Sequence, residues 1–229
     1  MTYKAACSLT ATLKTYAAVP VKELPLSKSR LSSVLGSGLR EAFVLSMLKD
    51  VLRSLTQVVD VLVVSSDRRV LEEASKMGAY AVDEGSPQGL NEALKLALKV
   101  AVMKGAEAFM VVPCDVPLIT PEDVEAMLRL LQPPPSMVVA PSRDREGTNA
   151  LLTSPPGAVP FSFGPGSLKR HVELARKAGL RVEVYEAPNL ALDVDGPEDL
   201  KLLAQLRGAQ NTRAFFEEVL ASYGEGHAF

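Results

Sequence analysis

Apolar positions along this chain fall into two kinds of run. Short β-prone stretches occupy residues 15–21, 58–64, 79–82, 108–112, 137–140 and 182–185, each bounded by turn-forming or polar residues. Helical patterns lie between most of them. From Leu39 the apolar positions Leu39, Phe43, Met47, Val51 and Leu55 recur every four residues, and Leu48 and Leu52 widen the stripe, which predicts one buried helix face. A helix over 120–131 is marked by Thr120 as N-cap, Pro121 in the first turn, and Glu122 and Asp123 at its positive end. Asp195-Gly-Pro197-Glu-Asp199 repeats that start chemistry before Leu200, Leu203 and Leu206, and Gly78 and Gly179 stand where helices 68–77 and 168–178 should stop. Strands alternating with helices predict an α/β fold: a mostly parallel sheet with crossover helices on both faces.

The pattern runs from about residue 13 to 223 as one domain, with residues 1–12 and 224–229 expected to be peripheral. Pro133-Pro134-Pro135 reads as a rigid turn, because apolar patterning resumes directly after it. A composition of 47% hydrophobic and 23% charged residues sets aside disorder and collagen-like repeats. Formal charge is −2, which leaves no bulk positive field for non-specific nucleic-acid binding, so any anion site must be local. Cys7 and Cys114 are too few for a disulfide framework and form no CxxC pair. No apolar run approaches the roughly 20 residues that span a bilayer, and Ser8, Thr10, Thr12, Lys14 and Thr15 interrupt any signal-peptide core. A cytoplasmic protein without a membrane partner is the expectation.

Four stretches could carry chemistry. Pro20-Val-Lys22 and Lys28-Ser-Arg30 follow the first strand, at the edge where open α/β sheets bind ligands, and their three cations suit a polyphosphate. A solvated basic loop explains them equally well by spacing alone. Asp115, in Pro113-Cys-Asp115-Val-Pro117, ends a buried strand, where a hard divalent cation would give it a partner; a turn cap is the alternative. Asp193 and Asp195 stand at i and i+2, so in extended chain both carboxylates face one side and can share an ion, although Asp195 taken alone reads as a helix N-cap. Together the three aspartates shift the balance towards a magnesium site completed by substrate phosphates. Finally, Gly147-Thr148-Asn149 with Phe163-Gly164-Pro-Gly166-Ser167 could make an anion cradle, or two surface turns with a Ser N-cap. No Walker-type G-x-x-x-x-G-K-[ST] occurs, the G-x-G segments are incomplete as dinucleotide fingerprints, and His171 and His227 have no nucleophile nearby in sequence.

Taken together, Pro20-Val-Lys22, Lys28-Ser-Arg30-Leu31, Gly89-Leu-Asn91, Pro113-Cys-Asp115-Val-Pro117, Gly147-Thr-Asn149, Phe163-Gly-Pro-Gly-Ser167 and Leu192-Asp-Val-Asp195 resemble the 2-phospho-L-lactate guanylyltransferase family, in the expected order over residues 15–207. Related members use phosphoenolpyruvate, and both serve synthesis of the deazaflavin coenzyme F-420. The resemblance implies a nucleotidyltransferase-type fold, Rossmann-like and GT-A-like, in which GTP and a phosphorylated three-carbon acid meet over Mg2+. It places Lys22, Lys28 and Arg30 on the triphosphate as catalytic groups, with Pro20, Gly89 and Asn91 beside the nucleotide. It gives Asp115, Asp193 and Asp195 to the metal, and Thr148, Gly164 and Ser167 to the acceptor. 2-Phospho-L-lactate is the leading acceptor and phosphoenolpyruvate the alternative. Another sugar or cofactor nucleotidyltransferase, or a non-catalytic GTP-binding module, stays open, as does a homodimer. Cys114 departs from the small residues expected there.

Overall fold

The computed structural model describes residues 13–223, so the expectations for 1–12, 224–229, Cys7 and His227 lie outside the described residues. Strands β1 (Thr15–Pro20), β2 (Asp60–Ser65), β3 (Tyr80–Asp83), β4 (Ala108–Val111), β5 (Ser136–Pro141) and β7 (Arg181–Val184) form where the β-prone runs predict them. A further strand, β6 (Thr148–Ser154), begins in the Gly147-Thr148-Asn149 segment, read from sequence as a cradle or a turn, and runs through residues that the β-prone pattern does not mark. It is buried along its whole length, so both faces are covered and no alternation marks it. The sheet order is β3-β2-β1-β4-β6-β5-β7. β1 pairs parallel with β2 and β4, β2 with β3, and β5 with β7, while β6 runs antiparallel between β4 and β5.

Alternate residues of the central strands face opposite layers, as the strand period of two requires. Ala17, Val19, Val61, Val63 and Met110 pack with α1 (Ser37–Leu55), α2 (Arg68–Lys76), α4 (Pro121–Leu130), α6 (Pro188–Ala191), α7 (Pro197–Gln205) and α8 (Gln210–Tyr223). Tyr16, Ala18, Leu62, Val64 and Phe109 pack with α3 (Leu90–Met103) and α5 (Ser167–Lys177). Helices therefore cover both faces. Along α1 the four-residue stripe is the buried one: Phe43, Met47, Leu48, Val51, Leu52 and Leu55 are fully covered, and Phe43 meets the rings of Phe215 and Phe216 on α8. Among the described residues no helix is long and apolar enough to cross a membrane.

Three buried polar residues, Ser46, Asp50 and Ser54, flank that stripe, and Asp50 is the charged one. Buried Asp50 accepts from the amides of Asn211 and Thr212 at 2.9 and 2.8 Å, and from the Asn211 amide group and Thr212 hydroxyl at 2.8 and 2.6 Å. It pins the first turn of α8, where a carboxylate also meets the positive helix end. Asp50→Ala is expected to lower unfolding free energy by about 2–4 kcal/mol, since buried donors lose their acceptor. Urea titration checks this, and an unchanged midpoint would show that α8 does not depend on the contact.

Helix starts follow the expected chemistry at one site and depart from it at two. Thr120 and Asp123 form a reciprocal capping box at α4. At α7 the cap is Gly196, not Asp195: the Asp199 carboxylate takes both the Asp195 and Gly196 amides, at 3.1 and 2.9 Å, which releases the Asp195 side chain from capping. At α5 the cap is Gly166 in the left-handed conformation, φ 67°, and Ser167 lies inside the helix.

Candidate active site

After β1 the chain makes two short 3-10 turns, Leu24–Leu26 and Ser29–Ser33, anchored by the fully buried Leu24 and Leu31. Between them Lys28 adopts a left-handed backbone, φ 50°, that aims its side chain inward. Its Nζ lies 2.6 Å from Asp115 Oδ2 and 2.6 Å from Asp195 Oδ1. The two aspartates are brought to it by different elements, Asp115 by the end of β4 and Asp195 by the approach to α7, and the Val194 amide donates to the Asp115 carbonyl at 2.9 Å. Burial opposes the charge on Lys28, which is 9% exposed, but Asp115 and Asp195 outweigh it and hold the ammonium above the usual lysine range. Burial likewise opposes the charge on Asp195, and Lys28 overcomes it, so that carboxyl titrates below its ordinary value. Asp193 is shifted the other way: burial raises it, with Asp115 and Asp195 adding repulsion, against a 3.2 Å bond from Asn149.

Lys28, Asp115 and Asp195 stand on the wall of an open cleft of about 470 Å³ at the carboxyl edge of the parallel strands, within the usual size of a small-molecule site. Pro20, Lys22, Lys28, Arg30, Gly89, Asp115 and Asp195 all line it, so these seven sequence candidates are brought together. Arg30 is 79% exposed and reaches Asp195 only at 3.9 Å. Cys114 lines the cleft too, but burial and the Asp115 charge push its thiol up to about 12, which leaves no thiolate near neutral pH. Sequence reasoning missed Glu84 and Glu23 on the same wall; their only signal was position just after strands β3 and β1.

Asp193, Asn91, Thr148, Gly164 and Ser167 are not on that wall. Asn91 instead clasps the backbone of Phe163, accepting from its amide at 3.0 Å and donating to its carbonyl at 3.5 Å. Thr148 and Ser167 are buried against each other, with Ser167 Oγ donating to Thr148 Oγ1 at 3.2 Å. Gly164 belongs to the same cluster, its carbonyl accepting from the Ser167 amide at 3.1 Å. The amides of Gly164 and Gly166 have no partner among the described residues. The loop thus presents backbone amides, while the Ser167 hydroxyl is engaged with that of Thr148.

His171, a core residue, completes that cluster. Its Nε2 accepts from the Ser162 amide at 3.0 Å, so Nδ1 carries the proton and donates to Thr148 Oγ1 at 3.0 Å. Protonating Nε2 would set two N–H groups against each other. Burial, with Arg170 adding repulsion, lowers its pKa to about 4. Below the unfolded value near 6.5 the unfolded chain binds a proton that the native one refuses, so stability falls as pH drops from about 6.5 towards 4. The loss should reach about 3 kcal/mol at 1.36 kcal/mol per unit. Urea midpoints of wild type and His171→Asn between pH 7 and 4 check this; parallel curves would contradict it.

Asp115 and Asp195 offer hard carboxylate oxygens towards the cleft, a donor set that suits a divalent cation also bound by substrate phosphates. Among the described residues no three His, Cys, Asp or Glu side chains converge as a ligand set on their own. Of the three expected aspartates, Asp115 and Asp195 bracket Lys28, and Asp193, hydrogen-bonded by Asn149, lies near enough for their charges to act on it.

Comparisons with known proteins bear on the fold and the family. A chain from Desulfovibrio desulfuricans, named as a nucleotide-diphospho-sugar transferase, superposes with a TM-score of 0.72 at 21% identity, covering 91% of this chain and 96% of that one. A phosphoenolpyruvate guanylyltransferase of Rubrobacter xylanophilus is 47% identical over 201 residues, 86% of this chain and 97% of its own length. A 3-phospho-D-glycerate guanylyltransferase of Colwellia psychrerythraea is 34% identical over 197 residues, 85% of this chain and 93% of its own. The family model described as "Guanylyl transferase CofC like" matches residues 15–222, and with those relatives it shows that this chain is a nucleotidyltransferase belonging to the CofC-like guanylyl transferase family.

Proposed function

We propose that this enzyme transfers the guanylyl group of GTP to the phosphate of a phosphorylated three-carbon acid, with phosphoenolpyruvate as acceptor and pyrophosphate as leaving group. The observation that carries it is the convergence of Lys28, Asp115 and Asp195 on the cleft wall, beside Lys22 and Arg30. An acceptor phosphate oxygen attacks the α-phosphorus in line; the bond from that phosphorus to the bridging oxygen breaks, and the electron pair leaves with pyrophosphate. A phosphate dianion is already a nucleophile, so no side-chain base is needed, and positioning with charge neutralisation supplies the rate. Lys28 leaves its carboxylates for the triphosphate, and Lys22 and Arg30 meet the outer phosphates. Magnesium held by Asp115 and Asp195, with Asp193 behind them, would neutralise phosphate charge. The acceptor sits at the loop of Gly164 and Gly166, whose free amides suit an anion at a helix start, with Thr148 and Ser167 holding that loop in shape.

The two guanylyltransferase relatives support a phosphorylated three-carbon acid, and the one that is 47% identical moves the weight from 2-phospho-L-lactate to phosphoenolpyruvate. On the family resemblance, the product feeds deazaflavin coenzyme F-420 assembly. A pyrophosphate-release panel tests this, pairing GTP or ATP with phosphoenolpyruvate, 2-phospho-L-lactate and 3-phospho-D-glycerate. The expected result is fastest release with GTP and phosphoenolpyruvate. Preference for another acid would reassign the acceptor, and no release with any pair would leave a GTP-binding module.

A further inference from the structure

The cleft has a polarity along the sheet. Its charged end lies over β1 and β4, where Lys28, Asp115 and Asp195 meet. Its other end lies over β2 and β3: Glu84 follows β3 directly, and its amide donates to the Ser65 carbonyl at the end of β2 at 3.2 Å. In the order β3-β2-β1-β4 those ends are separated by three strand spacings, on the order of 14 Å. That is comparable with the reach of an extended nucleoside triphosphate. Leu26 and Leu90 give the cleft exposed apolar side chains, with buried Val44, Val64 and Ala93 behind them, a lining suited to the flat faces of a base.

With the triphosphate at the cationic end, the base falls at the Glu84 end. There the Glu84 carboxylate accepts no hydrogen bond and makes no ion pair among the described residues, although Lys95 and Lys99 line the neighbouring pocket. Partial burial, with the charges of Asp83 and Glu23, raises its pKa, so its surroundings give its charge no compensation. Its neighbour Glu23 is differently placed, accepting from the Ser66 hydroxyl at 3.1 Å. An ionised carboxylate only accepts hydrogen bonds, and it would repel a phosphate. Guanine supplies what is missing: N1–H and the exocyclic N2 amine stand side by side on its edge, two donors for two carboxylate oxygens. Adenine presents an acceptor at N1 and no N2 amine.

We propose that Glu84 is the specificity-determining residue for the donor base, accepting hydrogen bonds from guanine N1–H and N2–H. The proposal rests on the guanylyl-transfer reading above and deepens it. The test measures kcat/KM for GTP, inosine triphosphate, which lacks the N2 amine, and 2′-deoxy-GTP, in wild type, Glu84→Gln and Glu84→Ala, with circular dichroism to confirm folding. Wild type should prefer GTP to inosine triphosphate by about 10- to 100-fold, the range for a hydrogen bond to a charged group. Glu84→Ala should bring that ratio to within about threefold of one, with Glu84→Gln between. An unchanged ratio in Glu84→Ala overturns the proposal, and a changed response to 2′-deoxy-GTP alone places Glu84 on the ribose instead. Calorimetric titration of both nucleotides without acceptor reads base selection in the absence of turnover. An enzyme that releases no pyrophosphate yet loses base selection in Glu84→Ala thus refutes the transfer reading and keeps this one.

Discussion

Asp195→Asn and Asp115→Asn are each expected to slow pyrophosphate release by on the order of 10² or more, because several kcal/mol of charge stabilisation leave the barrier. Each substitution keeps the shape and one acceptor oxygen, so the fold should stand while the charge disappears. In the ground state each carboxylate already has a counter-ion in Lys28, at 2.6 Å. Losing one leaves a lysine with half its compensation and a cation with one hard ligand fewer. The rate should recover in part at raised magnesium, which separates lost metal affinity from lost positioning. Steady-state rates across a magnesium series check this, and full activity of either variant at low magnesium would remove both aspartates from a metal role.

Lys28→Ala should be the most damaging change in the basic loop, lowering kcat/KM for GTP by about 10²- to 10³-fold, the usual effect of removing one preorganised charge-stabilising donor. The same change leaves Asp115 and Asp195 facing each other without their cation, which lowers stability, though by less than the roughly 3–5 kcal/mol of a fully buried pair because both carboxylates reach solvent. Stability and catalysis are separated by Lys28→Arg, which keeps the charge but cannot place one compact ammonium between two carboxylates. It should fold near wild-type stability and remain catalytically impaired. Arg30→Ala, at a side chain 79% exposed, should cost less than about tenfold and fade with added salt. Equal effects at positions 28 and 30 would mean that the buried clamp has no special part in the reaction.

Different parts of the site were legible for different reasons. Lys22, Lys28, Arg30 and Asp115 stand just after strands at the sheet edge, and strand ends are readable from local pattern, so their arrival in one cleft follows from the fold class. Asp195 was ambiguous because capping and ligation use the same residue type. The choice was made by Asp199, four residues on, which takes the capping amides and frees Asp195 for Lys28. Thr148 and Ser167 carry no mark in sequence to say that their hydroxyls face each other. That depends on β6 being a strand and on His171 packing beneath it.

By itself the sequence determined the alternation of strands and helices, the buried stripe of α1, the capping box at α4, and a set of motifs whose order names a family. All of these are encoded within a few residues of chain, by periods of two or about four and by end chemistry. Only the tertiary structure decided that Lys28 would be clamped by carboxylates 87 and 167 residues away. It alone slid an antiparallel strand between β4 and β5, and left the Glu84 carboxylate without a hydrogen-bond donor among the described residues at the far end of the cleft. The reason is physical: such contacts are set by strand order across the sheet and by which side chains the packing leaves unsatisfied, and neither quantity is written in local periodicity.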